Sequence, residues 1–548
     1  MGSMGMAADG DRTADLSDPG FADRVQGIAD DAAREALLAQ ALFNFLVRAQ
    51  ALGQQEDLET PAVLESLVAV ELNVILDAHL GVELEFAMLR RPVSARDLAI
   101  AVATLLTQAP TPAARPVLAT DPEGRFEPFG LTDLQQAYLL GRAGFFALGN
   151  VPAAFYAEID VAGVDVPGLE AAWRLLIDRH DMLRTVFTED GRQRVLAQVP
   201  TYRFQRYDLR GLPAEGRAQE LSAVRERISS RFRPTDTWPL FEVAVCDLDA
   251  DNARIHLAID LLIADGTTLA MMVDEWNKLY QNPKAEIPTA AVSFRDYVRA
   301  LGEVESSEAF GRAREYWLAR MQDLPPAPAL PLRVAPESLD VVRFASRDFQ
   351  LDAQRWTRLR QRSLSNGLTP SMVLCWAYAA VLRVWSGTPS FTLNVTINDR
   401  LPVHPDVNRI LGEFTSQVLT EVSVDARDTV REQIATLQDR FWTDFEHRTF
   451  TAVSVLRELA RHSGGTRTTM PYVFDAVLGE HLKEDALPSW FRGVPYVATT
   501  APQVALECQV FELGGGLRVS WAVVEELFPP GLVDSVVRAF GSLLQRLA

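Results

Sequence analysis

The run Asp260-Leu-Leu-Ile-Ala-Asp265-Gly266 constrains this chain more than any other stretch, because two carboxylates bracket four apolar residues. The segment before it, Ile255 to Asp260, reads as the end of a buried strand, and Thr267 to Tyr280 takes up helical spacing. An unpaired carboxylate in such surroundings costs several kcal/mol. The fold must therefore bring partners to this strand-to-helix junction.

A chain of 548 residues is long enough for two or more packed cores, and 48% hydrophobic with 23% charged residues is ordinary globular usage. Its formal net charge of -20 argues against nucleic acid or an anionic membrane as the main partner. The three cysteines, Cys246, Cys375 and Cys508, are far apart, with neither a disulfide framework nor zinc spacing, so no metal is expected. No apolar stretch approaches the ~20 residues of a membrane span, and a cytoplasmic protein is the default expectation. The opening Met-Gly-Ser-Met-Gly-Met reads as an expression scar.

Residues 1–31 lack periodicity and are expected to form a disordered lead. From 32 to 108 the pattern is helical, with Leu37, Leu38, Ala41, Leu42, Phe45 and Leu46 recurring at threes and fours. Residues 109–128 carry Pro110, Pro112, Pro116, Pro122 and Pro128 and read as an extended linker. Helices and strands alternate beyond it, which makes 129–548 α/β. A second proline-rich crossing, Leu324 to Leu332, divides this part into halves of about 129–323 and 333–548. Strands are predicted at Phe241–Asp247, Phe391–Ile397 and Val504–Phe511, and helices at Val166–Arg179, Pro370–Trp385 and Pro530–Leu547.

The words Leu64-Glu-Ser-Leu-Val-Ala-Val-Glu-Leu72, Leu80-Gly-Val-Glu-Leu84 and Pro92-Val-Ser-Ala-Arg-Asp-Leu98 resemble an acyl or peptidyl carrier domain. Ser66 stands at the start of a helix, where unpaired backbone N–H groups and the helix dipole favour a phosphodiester. The resemblance implies a 4'-phosphopantetheine arm on Ser66. The family has Asp where this chain has Glu65, so a docking domain without an arm stays open, as does Ser66 as an ordinary cap residue.

From Phe129 onward, several separated motifs together resemble heterocyclization domains of nonribosomal peptide synthetases, members of the condensation superfamily. They are Leu131-Thr-Asp-Leu-Gln-Gln-Ala-Tyr-Leu-Leu-Gly-Arg142, Arg179-His180-Asp-Met-Leu183, Asp260 to Gly266, Asn394 to Pro402, and Gly412-Glu413-Phe-Thr415-Ser416. In condensation enzymes the junction reads HHxxxDG; here Asp260 replaces the first histidine and Leu261 the second, the DxxxxD pattern of heterocyclization. The resemblance implies two chloramphenicol-acetyltransferase-like lobes in a V with a central tunnel. It also implies that Asp265 and Arg400 form a structural ion pair and that His180 is architectural. Glu413, Thr415, Ser416, Gln503 and Gln509 are expected to line the tunnel.

Two motifs that carry the chemistry depart from the family. PVVFTS appears as Pro471-Tyr-Val-Phe-Asp475-Ala476, and QVxLDxQ as Gln503-Val-Ala-Leu-Glu507-Cys-Gln509. A threonine is thus replaced by Asp475 and its partner aspartate by Glu507. Asp475, Glu507 and Asp260 are the expected catalytic residues. If Asp475 and Glu507 face each other, one should hold a proton near neutral pH. The implied activity joins an acyl donor to a Cys, Ser or Thr residue, both presented as thioesters on carrier proteins of a larger assembly, and closes a thiazoline or oxazoline. Condensation without ring closure, or a scaffold that docks carriers without chemistry, are the open alternatives.

Overall fold

The computed structural model describes residues 14–107, 118–462, 469–478 and 487–548, less Ser17, Pro19, Gln50, Gln54, Ala119, Phe145, Pro402, Pro405 and Ala426. The proposed scar at residues 1–6 and the first half of the proline-rich stretch lie outside the described residues. By contacts the chain forms two units, the first made of 1–117 with the short segments 360–373 and 401–405, the second of the remainder.

In the first unit, helices span Phe21–Gly27, Asp31–Arg48, Ser66–Leu80, Phe86–Leu89 and Ala95–Thr107. The apolar stripe Leu38, Leu42, Phe45 and Leu46 is buried, as are Leu98 and Val102 of the last helix, which packs on Asp31–Arg48. Gly81 ends Ser66–Leu80 with φ +67, the left-handed conformation that glycine adopts at least cost. The expectation of a disordered lead through residue 31 is corrected for its described part. Phe21 and Val25 are fully buried, and Asn44 donates to the Ala14 carbonyl at 2.9 Å. A seven-residue helix is too short for periodicity to reveal, and tertiary burial holds it in place.

The second unit starts within the expected linker. Leu118 is buried and Asp121 pairs with Arg295 and Arg299, each at 2.8 Å. Leu118 and Asp121 are thus packed, whereas composition alone marks 109–128 as extended. Among the described residues the strands are β1 Ala154–Ala162, β2 Thr185–Phe187, β3 Gln193–Val195, β4 Gln205–Asp208, β5 Phe241–Asp247, β6 Asn252–Asp260, β7 Ala345–Leu351, β8 Ser390–Asn398, β9 Thr415–Ser423, β10 Tyr472–Val477, β11 Phe491–Thr500, β12 Leu506–Leu513 and β13 Gly516–Val523. They form a five-stranded sheet in the order β11-β1-β6-β5-β4, a six-stranded sheet β7-β13-β12-β10-β8-β9, and the small pair β2-β3.

The halves 129–323 and 333–548 do not each own a sheet. β11 comes from the second half of the chain yet pairs antiparallel with β1 of the first. This corrects the expected lobe boundary: a strand of the later half completes the edge of the earlier sheet.

The six-stranded sheet has unlike faces. Strand register puts Ser520, Gln509, Glu507, Asp475, Asn394 and Thr415 on one face and Trp521, Cys508, Phe474, Val395 and Val418 on the other. The apolar face is covered by helices Pro370–Ser386 and Leu532–Leu547: Tyr378 packs 5.3 Å from Trp521, and Phe540 packs 5.4 Å from it on the second helix. The opposite face carries the polar groups. No single described helix is long and apolar enough to cross a membrane.

Candidate functional site

The entry motif forms the helix Asp133–Arg142, opened by a capping box between Thr132 and Gln135. One stripe of this helix grips the junction after β6. Gln135 is buried and donates through Nε2 to the Leu262 carbonyl at 2.7 Å. Two turns on, Arg142 makes a buried ion pair with Asp260 and also donates to the Arg233 carbonyl at 3.0 Å. The other Asp260 oxygen accepts the Leu262 amide at 3.1 Å. Asp260 was expected among the catalytic residues; the structure gives it a different environment. Its carboxylate is 3% exposed, with one oxygen on a guanidinium and the other on an amide.

Asp265 caps the helix Gly266–Gln281. Its Oδ1 accepts the Thr268 amide at 2.6 Å and its Oδ2 the Phe414 amide at 3.2 Å. Arg400 approaches Oδ1 at 3.5 Å, donates to the Val407 and Ile410 carbonyls at 3.0 and 2.8 Å, and lies 3.9 Å from the Phe414 ring centroid. Thr268 and Gly412 exchange hydrogen bonds at 2.8 and 3.1 Å. The Gly412-Glu-Phe segment is thereby stitched onto the start of the helix after Asp265. A side chain at 412 would meet the Phe294 ring at 2.3 Å, so the close approach requires glycine.

This stitching fixes Glu413, which is 1% exposed and bonded to the Thr415 amide at 2.8 Å. Burial, then the nearby charge of Asp265, push its pKa well above the carboxylate range. Thr415 stands on the polar face of the six-stranded sheet. Ser416 pairs with Ile397 on the apolar face, so the expectation that both line one passage fails for Ser416: adjacent strand residues point to opposite sides.

Asp475 and Glu507 lie on the neighbouring parallel strands β10 and β12. Val473 pairs with Glu507 and Asp475 with Gln509, so the two carboxylates are diagonal neighbours on the polar face. Gln509 donates to Asp475 Oδ2 at 2.9 Å, and Thr499 of β11 donates to Glu507 Oε2 at 3.1 Å. Both side chains keep some solvent exposure while protein encloses them. Burial raises the pKa of Glu507 to about 7, the charge of Asp475 adds to the rise and the Thr499 hydroxyl opposes it. Asp475 is likewise raised by burial, with Gln509 opposing and Asp265 adding to the effect.

Tyr138, part of the entry motif but assigned no role from sequence, faces the same group. Burial and then Glu413, Glu507 and Asp475 hold its phenol well above 10, so it stays a neutral donor. It is one turn from Gln135 on the gripping helix, and that spacing is the sequence signal that could have found it. Gln503, between β11 and β12, has φ 64 and donates its amide to the Leu148 carbonyl at 2.9 Å. It serves the chain reversal between these strands through its backbone. His180 bonds to Glu275 at 2.7 Å, next to Arg179, in keeping with an architectural place. Among the described residues no cluster of His, Cys, Asp and Glu is arranged to hold a metal.

An α/β unit of two mixed sheets, with paired aspartates at a strand-to-helix junction and two carboxyls of raised proton affinity on a polar sheet face, defines the class. Residues 150–548 match the family model described as Condensation domain, and the chain belongs to the condensation-domain family, in the heterocyclization branch found in nonribosomal peptide synthetases. It is 35% identical over 433 residues to pyochelin synthetase PchF of Pseudomonas aeruginosa, covering 78% of this chain and 24% of that protein. With pyochelin synthetase PchE of the same organism it shares 34% over 515 residues, 93% of this chain and 35% of that one. The chain thus spans about a third or less of these relatives. Its structure is similar to the EpoB cyclization-docking bidomain from Sorangium cellulosum, with TM-score 0.73 and 32% identity over 92% of this chain and 98% of that one.

Proposed function

We propose that this domain joins an acyl group to a cysteinyl, seryl or threonyl residue, both held as thioesters on partner carrier proteins, and closes the product to a thiazoline or oxazoline. In the first step the amine nitrogen attacks the thioester carbonyl, the carbon–sulfur bond breaks and the thiol leaves. In the second, the side-chain sulfur or oxygen attacks the new amide carbon. The resulting hydroxylated ring then loses its hydroxyl as water and the ring nitrogen gives up its proton, so that a carbon–nitrogen double bond forms.

The observation that carries this reading is the Asp475–Glu507 pair: two diagonally neighbouring carboxyls, with no ion pair to either among the described residues, and with raised proton affinity. A carboxyl with pKa about 7 is half ionised at neutral pH and can take a proton from the nucleophile and return one to the departing hydroxyl. Asp475 beside it also has raised proton affinity, and the Tyr138 hydroxyl stays a neutral hydrogen-bond donor. Asp265 with Arg400, and Asp260 with Arg142, hold the scaffold. Incubation with an acyl carrier and a cysteinyl or threonyl carrier, read by mass spectrometry of the carrier-bound product, tests the reading. Acyl transfer followed by loss of one water is the expected result; transfer without water loss would leave a condensation-only domain.

The same reading makes the first unit a docking domain and places the protein in the cytoplasm, with synthetase modules as partners. Glu65 supports docking: its carboxylate accepts from the Ser371 amide at 3.0 Å and from the Ser371 hydroxyl. The residue before Ser66 is thereby clamped onto segment 360–373, which restricts a modifying enzyme's approach. A phosphopantetheine arm on Ser66 itself is the second reading, favoured because Ser66 heads the helix Ser66–Leu80 and keeps partial exposure. When bound, the arm would supply a terminal thiol for the thioester. Treatment with a phosphopantetheinyl transferase and coenzyme A, followed by intact-mass measurement, separates the two: an unchanged mass supports docking and a gain of one arm supports the second reading.

A further inference from the structure

Thr499 lies on β11, the strand that leaves the later half of the chain to pair with β1, where it stands opposite Phe155. It is 8% exposed. Its hydroxyl donates to Glu507 Oε2 at 3.1 Å, which ties the edge of the five-stranded sheet to the polar face of the six-stranded one. The chain reversal between the two residues is held firmly. Gln503 takes its left-handed backbone there, its amide bonded to the Leu148 carbonyl. Pro502 packs so tightly on Gly141 that a side-chain carbon at 141 would sit 2.2 Å from it. A non-glycine residue kept at positive φ signals surroundings that over-determine it.

We propose that Thr499 is the positioning residue of Glu507: its hydroxyl occupies Oε2 and so reserves Oε1 for the proton that moves during condensation and ring closure. The inference rests on the function proposed above. With Oε2 engaged, the carboxyl plane cannot turn freely and the transferable proton has one address. Without the hydroxyl, either oxygen could carry it, and a misplacement of about 1 Å costs ~10²-fold in rate. Loss of a donor to the ionised form also raises the proton affinity of Glu507.

The test compares Thr499→Val and Thr499→Ser in the full chain with carrier-bound substrates. For Thr499→Val we expect kcat to fall about 10²-fold with KM little changed, and the acid limb of the pH–rate profile to move up by about one pH unit. Thr499→Ser, which keeps the hydroxyl, should return both toward wild type. A Thr499→Val profile that overlays wild type, or an effect on KM alone, overturns the proposal. Unfolding measured against pH supplies a readout that needs no turnover. The folded pKa of Glu507 lies above its unfolded value, so stability falls as pH rises through that window. In Thr499→Val the fall should continue further above pH 7, and this added fall should vanish when Glu507→Gln is introduced as well. If wild type itself turns nothing over, the function reading fails on its own, and a pH-independent Thr499→Val effect then overturns the positioning role as well.

Discussion

The junction after β6 and the polar face of β10 and β12 each hold two carboxylates, and they have opposite fates. Asp260 and Asp265 are nearly fully buried, each meeting an arginine and at least one backbone amide. Asp475 and Glu507 are more open, yet what they meet is an amide side chain, a hydroxyl and, for Glu507, the charge of Asp475. Four acidic residues of the same chemistry are thus divided by their partners. A buried carboxylate bonded to a guanidinium and an amide is tied into the scaffold; one with raised proton affinity beside a second carboxyl can take up and pass on a proton.

The comparison breaks most visibly at the junction. Asp265→Ala strands the Arg400 guanidinium among the Val407 and Ile410 carbonyls, and we expect a loss of about 3–5 kcal/mol in denaturant unfolding. Asp260→Ala should cost a similar amount by stranding Arg142. A well-folded, inactive Asp260→Ala would instead return that residue to the chemistry.

At the polar face the sign reverses. The folded pKa of Glu507, about 7, stands above its ordinary 4.5, so its penalty is absent below pH 4.5, grows as pH rises and is complete above pH 7. Glu507→Gln should therefore be more stable than wild type at pH 8, by up to about 3 kcal/mol, with the gap closing by pH 4.5. Thermal melts across that range check it. The smallest effect belongs to Asp475→Asn. Removing the neighbouring charge should lower the Glu507 pKa, moving the acid limb of the pH–rate profile down by about one unit or less. An unmoved limb would mean that the two carboxyls do not communicate.

Sequence reached the motifs and their spacing but not what strand pairing decides. Asp475, Glu507 and Gln509 could be singled out because their words stand at recognisable places, and parallel pairing in register then sets them on one face. Ser416 was misplaced for the same reason in reverse, since the side it points to depends on β8–β9 register. The partner of Asp260 was hidden because Arg142 lies 118 residues earlier in the chain and nothing local joins the entry helix to the junction. β11 was missed altogether: its burial alternates weakly, and its place at the edge of the earlier sheet is a tertiary choice. The helix Phe21–Gly27 is likewise made by burial, in a stretch whose composition argues for disorder.

The most direct test of the central claim is single-turnover product formation by wild type and Glu507→Gln with the same loaded carriers. The account predicts condensed product that has lost water from wild type, and a rate at least about 10²-fold lower from a Glu507→Gln protein that melts no earlier. Undiminished product from Glu507→Gln would contradict it and remove Glu507 from the chemistry.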